Sequence, residues 1–166
     1  MRKFIIAAII CIATSGIASA HKGQISLGGN VVYGTCVSNI GLGVKGQYEI
    51  INHLRAEASF NYFFKNGVTF AHNKADYYMW EVNANSHYVI PLSSKFDIYP
   101  LAGITVANLD AAGDKAYHAH TKVGANLGAG VDFNLNSHVS LNFAVKYTLI
   151  SDLDQAVFGL GAVYHF

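Results

Sequence analysis

Polar and apolar positions alternate along most of the chain from Gln24 onward, and the alternation lapses at regular intervals. Successive side chains of a strand point to opposite faces, so a period of two predicts strands with two unlike sides. Eight runs follow, at Gln24 to Tyr33, Asn39 to Ile50, Leu54 to Phe64, Tyr77 to Ile90, Phe96 to Asn108, Lys122 to Phe133, Val139 to Tyr147 and Ala156 to Phe166. The first sets Ile25, Leu27, Val31 and Tyr33 against Gln24, Ser26, Gly28 and Asn30; the last sets Phe158, Leu160, Tyr164 and Phe166 against Gly159, Gly161, Val163 and His165. The fifth run is the least regular, and Pro100 within it removes one ladder donor.

The breaks alternate too. Connections after the second, fourth and sixth runs are tight, at Ile51 to His53, Pro91 to Lys95 and Asn134 to His138. Those after the third and fifth, residues 65–76 and 109–118, are longer and polar, and those at 34–38 and 149–155 are modest. An antiparallel meander with short turns at one end and longer loops at the other has the layout of a transmembrane barrel. The expected fold is therefore all-β: an eight-stranded antiparallel transmembrane up-and-down β-barrel.

Alternation alone does not say which face points outward, because a soluble lipocalin-like barrel alternates with its apolar face inward. Three features decide. Aromatics crowd the ends of the apolar faces (Tyr33, Tyr48, Phe64, Tyr78, Tyr88, Phe133, Tyr147, Tyr164 and Phe166), as two interfacial girdles require. The polar faces are mostly Gly, Ser and Asn rather than the Lys, Glu and Thr of a wetted sheet. Charges also lie within the strands, and a mid-strand Lys or Arg facing lipid costs about 2–4 kcal/mol. Lys45, Glu49, Arg55, Glu57, Glu81, Lys122, Asp132 and Lys146 are thus assigned to a polar network in the lumen. Two hairpin registers fit the second and third runs, pairing either Lys45 with Glu57 or Glu49 with Arg55.

Composition agrees with this assignment. Charged residues are 13% of the chain, about half the usual share for a soluble domain, while aromatics reach another 13% and glycines number 16. Residues 1–20 run from Arg2 and Lys3 through an apolar core to Ala18-Ser19-Ala20, the form of a signal peptide cleaved after Ala20. Domain organisation is then a signal peptide, 1–20, and one barrel, 21–166. Losing Arg2 and Lys3 takes the formal charge from +1 to −1, so the mature chain has no basic footprint for nucleic acid. Cys11 lies inside the signal core, preceded by Ile10 where a lipoprotein box has a small residue, which leaves Cys36 alone in the mature chain.

The final run, apolar on one face and ending on Phe166, resembles the closing strand of bacterial outer-membrane barrels. With the signal peptide and the eight runs, the whole mature chain resembles the small eight-stranded barrels of the outer-membrane protein A, outer-membrane protein X and opacity type. The resemblance implies export to the bacterial outer membrane, a monomer surrounded by outer-membrane lipid, and recognition of Phe158, Leu160, Tyr164 and Phe166 by the barrel-assembly machinery. It implies a non-enzymatic protein that supports membrane integrity or presents loops 65–76 and 109–118 to a host or surface ligand. No cofactor is implied, and the peptidoglycan-binding domain of some relatives is absent from this sequence.

Loop and turn residues offer other chemistry. His118 and His120, with His72 and Asp76 in another loop, supply ligand types for a zinc-like ion, but nothing in the sequence fixes one loop against the other, so no metal is assigned. His138-Val139-Ser140 matches the His-x-Ser pair of outer-membrane lipid A deacylases without the Asn-rich signature that follows it there. A nucleophilic Ser also needs an oriented base beside it, and no catalytic residue is assigned. Three functions remain open: a structural or surface-interaction barrel, a narrow ion or small-solute channel through the lumen, and a lipid-modifying enzyme.

Overall fold

The computed structural model describes residues 23–70, 73–112, 120–151 and 154–166; for 65–70, 73–78, 110–112 and 120 it describes the backbone alone. Eight long strands form one closed antiparallel barrel: β1 (Ile25–Gly34), β2 (Asn39–Ile51), β3 (Leu54–Phe70), β4 (Asn73–Tyr88), β6 (Phe96–Ala112), β7 (His120–Asn134), β8 (Val139–Leu149) and β9 (Gln155–His165). A two-residue piece, β5 (Ile90–Pro91), completes the ladder order. The pairing of the first long strand, β1, with the last, β9, closes the ring, and β4 pairs directly with β6.

β5 is the end of β4 after an interruption. Both pieces keep one register against β6, from His87↔Leu101 to Ile90↔Ile98, and the position between them that faces Tyr88 is Pro100. Proline has no N–H to give, so the ladder lapses there. The Val89 amide instead donates to His53 O at 2.7 Å, and His53 Nδ1 lies 2.9 Å from Val89 O. His53 sits at φ 73, the left-handed conformation that ends the tight β2–β3 turn.

The faces fall as the alternation requires. Leu27, Val31, Leu42, Val44, Ile104, Val123, Leu127 and Leu160 are exposed on the outer wall, while Lys45, Arg55, Asn61, Glu81, Asn126 and Lys146 are buried inside. A soluble barrel buries the first set and wets the second. The apolar outer wall is the surface of a protein whose solvent is lipid. Tyr33, Phe64 and Tyr147 lie toward one rim, and Tyr48, Tyr88, Tyr164 and Phe166 toward the other.

Three strands run four or more residues past an end that the alternation indicated. β3 runs to Phe70 rather than Phe64, β4 begins at Asn73 rather than Tyr77, and β6 ends at Ala112 rather than Asn108. Much of the expected loops 65–76 and 109–118 is therefore paired backbone, for example Gly67↔Asp76 and Asp76↔Ala112. A register shift between Phe63 and Asn66 inverts the parity at that point. Side-chain alternation is imposed only where lipid and lumen lie on opposite faces, whereas backbone pairing carries no such requirement.

Candidate functional site

The lumen is the only described region where chemically active side chains converge, and it is layered. Nearest the short turns, Ser26 on β1, His165 on β9 and Ser140 on β8 join across the seam where the first and last strands meet. His165 Nδ1 lies 2.7 Å from Ser26 Oγ and its Nε2 lies 2.6 Å from Ser140 Oγ. Ser140 Oγ donates to Asn134 Oδ1 at 2.7 Å, and Asn134 Nδ2 donates to Asp97 at 2.8 Å. Because the Ser140 proton is engaged, Ser140 accepts from Nε2–H and Ser26 donates to Nδ1.

Above this chain lies a layer of charge. Arg55 Nε donates to Glu49 at 2.5 Å and its Nη1 to Asp132 at 2.7 Å. Asn142 Nδ2 donates to Asp132 and to the Tyr99 hydroxyl, at 2.6 Å each, and Asn142 Oδ1 accepts from the Lys45 ammonium. Glu57 receives Gln47 Nε2 at 2.9 Å and Asn85 Nδ2 at 3.3 Å, with Lys45 at 4.0 Å and His87 at 3.8 Å. His87 stacks on Tyr99, centroids 4.5 Å apart.

A second charged layer centres on Glu81, which is 0% exposed. Its carboxylate accepts from Lys146 Nζ at 2.6 Å, Asn61 Nδ2 at 2.7 Å and Gln155 Nε2 at 3.4 Å. Lys146 also donates to Asn83 at 2.7 Å, and Asn126 ties Asn83 and Asn85 together at 3.0 Å each. Toward the loop end the lumen turns apolar. Val32, Phe63, Met79, Ala107, Ile150 and Val157 form a fully buried plug, with Val37 and Leu109 packed on it.

Seven of the eight charged residues assigned from sequence thus lie in these two layers. Lys122 stands apart at the rim, where its Nζ donates to Ser151 O at 2.7 Å. Its strand parity is inward, but its partner across the ladder is Ala107 of the plug rather than a charged residue. Of the two hairpin registers, the structure adopts Glu49↔Arg55; Lys45 faces Ser59 and reaches Glu57 only diagonally. Phe158, Leu160, Tyr164 and Phe166 all face outward, and the Phe166 amide donates to Ile25 O at 3.0 Å.

The His138–Ser140 pair is not formed. His138 lies in the turn with its ring against Tyr164, centroids 6.0 Å apart, while Ser140 points into the lumen toward His165. Equal parity does not place the two residues on one face because the turn interrupts the pleat between them. His72 and His118 lie outside the described residues, and for Asp76 and His120 only the backbone is described. Among the described residues no group of three metal-ligating side chains converges.

Sequence reasoning missed the plug, together with Tyr99 and Leu101, because it reserved the lumen for polar residues. An apolar residue at inward parity, such as Val157 or Met79, was the available signal.

The fold is shared with known outer-membrane proteins. The attachment invasion locus protein Ail of Yersinia pestis is 21% identical, with a TM-score of 0.62 over 87% of this chain and 99% of its own. OprG of Pseudomonas aeruginosa is 17% identical, with a TM-score of 0.66 over 91% and 99%. The N-terminal barrel of OprF from Pseudomonas aeruginosa is 14% identical, with a TM-score of 0.67 over 87% and 98%. No curated relative matches the chain in sequence. The family model of the outer membrane protein beta-barrel domain matches residues 4–166, and the chain belongs to that family.

Proposed function

We propose that this protein is a non-enzymatic, monomeric barrel that supports the integrity of the outer membrane and carries loops for surface contact. The observation that carries this reading is the filled lumen. Two ion-paired layers and an apolar plug occupy its cross-section, and an eight-stranded barrel is just wide enough for side chains to fill. A path for ions would require the plug and the Arg55 and Lys146 pairs to part together. Nucleophilic chemistry is equally unsupported, since Ser140 is buried and its hydroxyl proton is held by Asn134.

Surface contact is the natural use of the loop end, where β3 and β4 extend beyond the outer band of apolar side chains. Ail of Yersinia pestis has been solved in complex with the heparin analogue sucrose octasulfate. A host or surface ligand at residues 65–76 and 109–118 is the corresponding proposal for this chain, with outer-membrane lipid and the barrel-assembly machinery as its other partners. Export is proposed to proceed through a signal peptide at 1–20, cleaved to leave His21 at the N-terminus.

Planar-bilayer recording, lipid A mass spectrometry and attachment assays separate the readings. A silent bilayer and an unchanged lipid A profile on overexpression, with envelope sensitivity to detergent on deletion, are the expected results. Steady conductance that changes in Lys146→Ala would establish the channel instead. Loss of attachment when 65–76 or 109–118 is replaced would assign the ligand surface.

A further inference from the structure

We infer that the barrel interior contains a hydration site: a small cluster of water molecules seated between Asn30 on β1, Asn61 on β3 and His87 on β4, in the gap between the two charged layers. An internal cavity of about 40 Å³ lies there, lined by these three residues together with Lys45, Lys146 and Gly159. One water needs roughly 10–15 Å³ measured in this way, so the space holds about three. An organic solute does not fit.

The wall calls for water. Asn30 Oδ1, Asn61 Oδ1 and both ring nitrogens of His87 are buried without a hydrogen bond to the protein's own groups, Glu57 standing 3.8 Å from His87 Nε2. Buried polar atoms are almost always satisfied, and when no side chain does it an ordered water does. The two amide oxygens converge over one glycine: a Cβ built on Gly43 would collide with both. Asn30, Gly43 and Asn61 are cross-strand neighbours on the inner wall, and the absent side chain at 43 lets both amide oxygens turn into that space at the edge of the cavity that Asn30 and Asn61 line.

Donors are also at hand. An ammonium has three N–H groups; Lys146 directs bonds to Glu81 and Asn83, leaving one for the cavity. His87 contributes one donor and one acceptor when neutral. A wall that offers acceptors and donors together suits water, which is both, better than a bare cation or anion. The cavity is bordered by Val32 and Val157 of the apolar plug on the loop side and by Asn142 and Tyr99 on the other. The cluster would link the Glu57 layer to the Glu81 layer, which share no direct charge pair in the salt-bridge geometry.

Two measurements on the refolded full barrel test this. A high-resolution crystal structure is expected to show water peaks within hydrogen-bond reach of Asn30 Oδ1, Asn61 Oδ1 and a His87 nitrogen. Magnetic relaxation dispersion of water in micelles is expected to count long-lived waters, fewer by at least one in Gly159→Val. A Cβ at Gly159 meets nothing closer than Asn30 Nδ2 at 3.5 Å, so that side chain grows into the cavity and not into backbone. Ala144→Val, from the neighbouring wall of the same cavity, serves if Gly159→Val does not fold. The inference is overturned by a dry cavity, by Asn30 and Asn61 bonded directly to each other, by rubidium anomalous signal in place of water, or by an unchanged water count in a folded cavity-filling variant.

Discussion

Glu81→Ala is the most informative single perturbation of the lumen. The carboxylate is fully buried and receives Lys146, Asn61 and Gln155, so its removal strands an ammonium in the barrel interior with Asn83 as its remaining acceptor. Breaking a buried ion pair from one side costs about 3–5 kcal/mol. At 1.4 kcal/mol per tenfold, the unfolding constant should rise between about a hundredfold and a few thousandfold. Replacing both partners, as in Glu81→Leu with Lys146→Met, removes the orphan charge, and such swaps are neutral or stabilising by about 1–4 kcal/mol. The assay is a reversible urea titration in lipid vesicles followed by fluorescence of Trp80, the single tryptophan, which stands next to Glu81 on β4 with its ring 6.4 Å from Phe60. Large single-variant losses that vanish in the double variant are expected. A Glu81→Ala loss below about 1 kcal/mol, or a double variant as unstable as the summed singles, would refute the reasoning.

Other perturbations probe other parts of the barrel. Val44→Arg, at an outward position 62% exposed near the middle of β2, should lower stability in vesicles by about 2–4 kcal/mol, while Tyr48→Arg near the rim should cost about 0–1 kcal/mol; equal costs would contradict the lipid assignment. His165→Ala leaves the hydroxyls of Ser26 and Ser140 short of a partner at the β1–β9 seam, a loss of about 1–3 kcal/mol that should show as a lower temperature for the heat-modifiable gel shift. Gly161→Ala should cost about 1–3 kcal/mol because its Cβ would press on Asn30 and the β1 backbone, whereas Gly159→Ala should be tolerated. Partial burial pushes the Cys36 thiol up from its ordinary value, so an impermeant maleimide should label it on intact cells more slowly than free cysteine at neutral pH, with the rate rising as the pH is raised.

Strand number, facing and most turns could be read from residues alone, because each depends on a local period that lipid and lumen impose in opposite senses. Leu27, Val44 and Leu160 face out and Lys45, Glu81 and Lys146 face in for one reason, the cost of the reverse. Strand ends were not legible, since the upper parts of β3 and β4 pair where no such cost operates. Partner choice within the lumen was legible only between adjacent strands. The Glu49–Arg55 hairpin pair could be enumerated, whereas Arg55–Asp132 and Lys146–Glu81 cross the lumen and depend on barrel stagger, which no short stretch encodes. The Ser26–His165–Ser140 link joins neighbouring strands, but Ser26 and His165 become neighbours only when the ring closes across 139 positions, which no local period reveals.

Ion pairs in a lumen need a reason, since apolar side chains of similar volume would fill the same space at no loss of stability. The β2 strand suggests one. A slip of one residue would carry Lys45, Gln47 and Glu49 to the lipid face and drive Val44 and Tyr48 into a lumen that is already full. Lys45 alone would then cost about 2–4 kcal/mol in lipid, and the charges left across the lumen would lose their partners. With leucine in place of each charge, the slipped strand would meet little penalty on the lipid side and little on the other. The inward glycines act in the same sense, because Gly128 and Gly161 lie against the neighbouring backbone where a displaced side chain has no room. On this argument the charged layers are retained for register. The Glu81→Leu, Lys146→Met double variant should then gain or hold stability once folded, yet give a lower yield of the fast-migrating folded form when it refolds from urea into vesicles. Equal yields from wild type and variant would leave the charges without that role.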